Sequence, residues 1–169
     1  MFTCVNLRIH AFQIFFILMP KIAKVMVSTG TVATLAAIMV YTLMIIGAFV
    51  RTSGFGLACP DWPTCHGQII PEFTTPVIAE YTHRMVAALS TLLVLTTMVL
   101  AIKRHRKTRV ALFATLSFGL IIVQVFLGMW TVLSGLNPII GTAHLALAAA
   151  VFGLSVVTAV LARRLTSQL

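Results

Sequence analysis

Four long apolar runs dominate the chain, separated by short polar stretches. They cover about residues 25–50, 76–102, 110–133 and 139–162. Each meets or exceeds the ~20 apolar residues that an α-helix needs to cross the hydrocarbon core of a bilayer. The intervening segments, 51–75, 103–109 and 134–138, carry most of the Gly, Pro and Asn that break helices. Pro76 and Pro138 stand where the second and fourth runs begin, a place where a missing N–H costs nothing. The pattern predicts an all-α integral membrane protein, a four-helix transmembrane bundle over residues 25–169. Residues 1–24 read differently. Their apolar run, Ala11 to Met19, is too short to span, and basic residues rather than a small-x-small cleavage site follow it. The expectation there is an interfacial or disordered tail, with Met19 and Met26 as alternative starts.

Composition narrows the class and excludes others. Of 169 residues, 60% are hydrophobic and 9% are charged, against roughly 45–50% and about 25% in soluble domains. So few charges cannot cover a water-soluble globule, and so apolar a chain is not a disordered one. Twelve Lys and Arg against three Asp and Glu give a formal charge of +9. The bases fall in the tail, in Lys103 to Arg109 and at Arg163 and Arg164, where the positive-inside rule expects orientation signals. That placement argues against a nucleic-acid partner. It predicts that both termini and the middle loop are cytoplasmic, and that the first and third loops lie outside a cell membrane.

The chemistry-bearing residues gather toward the outer side. His83 follows Pro76 by seven residues and His144 follows Pro138 by six. At 1.5 Å per residue both lie roughly 10 Å below their helix starts, on separate helices. Ionisable groups within a span are costly and mark functional sites. Two imidazoles at matched depth suit the axial ligands of a heme iron, although each could simply hydrogen-bond between helices. Gly141, Ala143 and Ala148 near His144, with Ala87 and Ala88 after His83, would admit a flat macrocycle or pack helix on helix. A zinc site is disfavoured, because no third ligand is evident at that depth. Glu80 precedes His83 by three residues and shares its helix face. It is a candidate for proton handling, or for pairing with Arg84. Arg51 and Arg84 sit near the interface, suited to heme propionates or to lipid phosphates. Cys59 and Cys65 flank a five-residue spacer with two prolines. A structural disulfide, a redox pair and two free thiols all remain open. Trp62 and Trp130 read as interfacial aromatics, and Cys4 as incidental.

Three motifs carry a family resemblance. Gly47 to Gln68, reading GAFVRTSGFGLACPDWPTCHGQ, resembles the first outer loop of heme A synthases. Glu80-Tyr81-Thr82-His83-Arg84 resembles their Glu-x-x-His-Arg motif, and Gly141-Thr142-Ala143-His144 resembles their histidine on a fourth helix. Members of that family oxidise a methyl group of heme O to the formyl group of heme A. They commonly combine two four-helix halves, each with a pair of heme-ligating histidines. The likeness here is to the N-terminal half. It implies that His83 and His144 ligate heme iron, that Glu80 is catalytic, and that Arg51 and Arg84 contact the cofactor. It also implies that Cys59 and Cys65 form a disulfide that supports the site or relays electrons. Heme O is the implied substrate, with heme b as a second candidate cofactor.

A half-size unit of this kind would need a second pocket, from self-association into a homo-oligomer or from a partner membrane protein that supplies electrons. One alternative is a non-catalytic bis-His heme protein for electron transfer or heme delivery. Another is a quinone-linked thiol–disulfide oxidoreductase, which leaves the histidines unexplained and normally shows a closer cysteine pair.

Overall fold

The computed structural model describes residues 28–166. The tail expected over residues 1–24, with Cys4, lies outside them. Four helices follow in order: α1, Thr29–Thr52; α2, Thr75–His105; α3, Arg109–Leu133; and α4, Pro138–Thr166. All four are long and apolar enough to cross a membrane.

Local chemistry sets their ends. Helix α1 is capped by Ser28, which stays extended and whose hydroxyl accepts from Thr31 N at 3.1 Å. Helix α2 continues to His105, three residues past its apolar run. Lys103, Arg104 and His105 occupy its last turn, where cations suit the helix dipole. Between α3 and α4, Gly135 and Leu136 both take left-handed backbone, and Asn137 Oδ1 accepts from Ile139 N at 2.9 Å. That short cap turns the chain back immediately.

Each helix packs on its chain neighbours and α1 closes on α4, so α1/α3 and α2/α4 are the diagonals. One end of the bundle carries the 53–74 loop and the α3–α4 turn. The other carries the basic 106–108 connection and the C-terminus of α4. These are called the loop end and the basic end below.

The centre is built from small side chains. Ala36, Val40, Val94, Ile121 and Val151 form one buried cluster, and Ala101, Val110, Ala114 and Ala162 another nearer the basic end. Buried hydroxyls lie among them. Ser90, Thr97, Ser155 and Thr158 each donate to the carbonyl four residues back, at 2.7–2.8 Å. A hydroxyl satisfied within its own helix needs no cross-helix partner and lets the backbones approach. Large apolar side chains such as Ile38, Leu92, Leu112 and Phe126 point outward, as a lipid environment requires.

Candidate functional site

The loop end gathers Arg51, Cys59, Cys65, Glu80, His83, Arg84 and His144. His83 lies eight residues into α2, about 12 Å from its start, and His144 six residues into α4, about 9 Å. The two helices are diagonal partners of the bundle. Each ring lies against a glycine of another helix. A Cβ placed on Gly47 of α1 would stand 2.8 Å from His83 Cε1, and one on Gly128 of α3 would stand 3.1 Å from His144 Cε1.

Gly47 and Gly128 thus give the two imidazoles their room. Gly141 faces the Arg51 guanidinium instead, at 3.7 Å from its would-be Cβ. A side chain that leaves its own helix must be accommodated by the helix it meets.

Both Nδ1 atoms are buried with no hydrogen-bond partner. Leaving a buried polar atom unsatisfied is costly, roughly 1–3 kcal/mol, so the two rings suit a bound group that engages them. Gln124 of α3 was not singled out in the sequence. Its amide nitrogen donates to the His144 carbonyl at 2.9 Å and lies 3.4 Å from His144 Nε2, while its Oε1 is buried without a partner. The available signal was a lone amide inside an otherwise apolar run.

Glu80 is buried, at 4% exposure, and paired with Arg84, whose Nε donates to Oε1 at 3.0 Å. Arg84 does more than pair. Its Nη1 donates to the carbonyls of Asp61 and Thr64 at 2.8 and 2.7 Å, and its Nη2 to that of Cys59 at 2.7 Å. Four hydrogen bonds within the chain commit most of the guanidinium's donors. The structure therefore makes Arg84 the fastener of the 53–74 loop. Arg51 is different: it is exposed, and among the described residues its side chain makes one hydrogen bond, from Nη2 to the Leu136 carbonyl at 3.3 Å.

The loop is itself tightly organised. Cys59 and Cys65 form a disulfide, and both are shut off from solvent, at 0% and 1% exposure, against Val77 of α2. Of the readings left open, the structure shows the bonded pair rather than two free thiols. Asp61 accepts from Thr64 Oγ1, from His66 N at 2.6 Å and from Gly67 N at 2.9 Å. The Thr64 hydroxyl first, then the Gly67 amide, hold its carboxyl down to about 2. His66 takes left-handed backbone, and its Nε2 lies 2.9 Å from the Ala58 carbonyl. Tyr81 donates to the Ile69 carbonyl at 3.0 Å and stacks edge-on with Phe73. The loop is thus pinned to α2 at Arg84 and Tyr81, on either side of His83.

Known proteins share this arrangement of sequence. The family model described as "Cytochrome oxidase assembly protein" matches residues 30–77 and 72–168. The chain is 33% identical over 132 residues to the heme A synthase of Bacillus pumilus, covering 73% of this chain and 40% of that protein. It is 32% identical over 146 residues to the heme A synthase of Geobacillus thermodenitrificans, covering 83% and 41%. It is also 37% identical over 133 residues to a protoheme IX farnesyltransferase of Halobacterium salinarum, covering 77% of this chain but 29% of that protein. The chain thus spans less than half the length of these relatives.

Proposed function

The chain belongs to the heme A synthase family, and from that membership we propose that it binds heme O at the loop end and oxidises a ring methyl group to the formyl group of heme A. The observation that carries the reading is the pair of His83 and His144, at matched depth on diagonal helices, each ring lying against a glycine of another helix. His83 and His144 would hold the heme, since two imidazoles suffice where the macrocycle brings its own nitrogens. When bound, the iron would supply the redox chemistry. The chain's residues hold, orient and exchange protons.

Oxidising a methyl group releases protons. Glu80 lies one turn from His83, with its Oε1 held by Arg84 Nε. We assign it the role of taking those protons, while Arg84 fixes that oxygen. Arg51 keeps most of its donors free and suits a propionate. Arg84 and the disulfide hold the loop over the pocket and exclude water from it. Burial of both sulfurs argues against thiol–disulfide exchange, which needs an accessible sulfur. The formyl oxygen would come from water, and the four electrons released would pass, through a second copy of the chain or a partner membrane protein, to an external electron acceptor. The basic end is assigned to the cytoplasm by the positive-inside rule, and the loop end to the outside.

The test is to purify the full chain, record its visible spectrum, and extract and identify the heme. The reading expects a low-spin heme band that His83→Ala or His144→Ala abolishes. Glu80→Gln should retain heme but slow heme A formation by about 100-fold or more. A colourless wild type overturns the proposal. A Glu80→Gln variant that forms heme A at the wild-type rate removes the catalytic assignment and leaves heme carriage.

A further inference from the structure

A groove on the lipid-facing side of α1 and α4, remote from the histidines, has a volume of about 420 Å³. Its shape follows from one antiparallel register. Tyr41 meets Phe152 at its upper end, with ring centroids 5.4 Å apart, and Gly30 meets Arg163 at its lower end. A Cβ on Gly30 would stand 2.9 Å from Arg163 Cγ, so the helices approach most closely there and the arginine stem lies across the glycine. Between these closures the floor is Ala37 and Ala159, both nearly buried, with Ile38 and Val160 as exposed walls. The lining is otherwise apolar, and Thr34 satisfies its hydroxyl on the Gly30 carbonyl at 2.8 Å.

Two quantities identify an occupant. From Phe152 to Arg163 the groove runs about 16 Å along α4, close to half of a ~30 Å hydrocarbon core. That is one leaflet's depth. The charge at its mouth is also uncompensated. Arg163 makes no hydrogen bond or ion pair among the described residues, and all three acids of the chain, Asp61, Glu72 and Glu80, lie toward the opposite end. No anion for this guanidinium stands among the described residues, and a lipid phosphate would supply one. Basic pockets between spanning helices recognise anionic lipid headgroups.

We propose that this groove is a binding site for an anionic phospholipid of the leaflet at the basic end, with one acyl chain along Ala37 and Ala159 and the phosphate on Arg163. The site is independent of heme and of the chemistry at the loop end.

The experiment delipidates the full chain in detergent, mixes it with equimolar phosphatidylglycerol and phosphatidylcholine, and counts retained lipid by native mass spectrometry. The wild type should prefer phosphatidylglycerol about fivefold. Arg163→Gln should lose that preference, and Arg163→Lys, which keeps the charge, should retain it. Ala159→Leu, which fills the floor, should reduce retention of both lipids. Arg106→Gln, equally basic but away from the groove, should change nothing. Equal retention by the wild type overturns the proposal, as does a preference that survives Arg163→Gln or that Arg106→Gln removes equally. So does an Ala159→Leu variant that keeps its lipid and changes oligomeric state instead, since the groove would then seat a second copy.

Discussion

Gly47→Ala tests the seating of His83 most directly. The new Cβ would stand 2.8 Å from His83 Cε1 and 3.4 Å from Nδ1. Carbon atoms in contact sit about 3.5–4.0 Å apart, so the overlap is roughly 0.7–1.2 Å. The imidazole is stiff and cannot fold away as the end of a long side chain could. Overpacking of this size costs about 1–3 kcal/mol, offset by the ~0.5–1 kcal/mol that Ala gains over Gly within a helix. Gly119→Ala isolates that gain, because a Cβ there meets nothing within 4 Å. The two variants should therefore differ by about 1–3 kcal/mol, with Gly47→Ala the less stable. Gly128→Ala should fall between them, since its Cβ would lie 3.1 Å from His144 Cε1. Thermal or denaturant unfolding in detergent micelles reads the order; at about 2–4 °C per kcal/mol for a chain of this size, the extremes should separate by several degrees. A Gly47→Ala protein as stable as Gly119→Ala would show that His83 does not occupy the α1 groove, and the placement of the site would fail with it.

Removing the loop fastener should be more severe. Arg84→Ala leaves Glu80 buried without its ion pair and frees three carbonyls, which should destabilise the protein by about 3–5 kcal/mol; Arg84→Lys should restore little, because an ammonium cannot reproduce the fork. Reduction of the disulfide by a water-soluble phosphine, slow in the wild type, should become fast in Arg84→Ala, and unchanged kinetics would remove the fastening role. Cys59→Ser opens a loop closed over a separation of six residues, for which chain entropy suggests a loss of about 2 kcal/mol on unfolding in micelles. The Asp61 carboxyl is held below its ordinary 3.8 at about 2. Its contribution to loop stability is therefore fully present above pH ~4 and lost as pH falls toward 2. Limited proteolysis of the 53–74 loop across that window should show it, and Asp61→Asn should flatten the acid limb.

Much of the site was visible in the residues before any coordinates. Glu80, His83 and His144 stood out because ionisable groups are rare inside apolar runs, and the structure brings all three to the loop end. Other parts were not visible. Arg84 reads as an interfacial cation in the sequence, and only the fold shows it reaching the carbonyls of Cys59, Asp61 and Thr64 across twenty or more positions. Gln124 is polar but unremarked until His144 lies beside it.

The number of spans, their approximate ends and the separation of basic from acidic ends are properties of local sequence. They follow from run length and from charges that cannot enter hydrocarbon. Which faces meet is another matter. In a membrane the outer surface of a bundle is as apolar as its core, so the hydrophobic pattern does not report how each helix is rotated. Only the packed helices decide that Gly47 and Gly128 receive the imidazoles, that Gly30 lies under Arg163, and that α1 and α4 leave a groove between them. Those choices rest on small residues in register across helices far apart in the chain, and such contacts exist only after the bundle has closed.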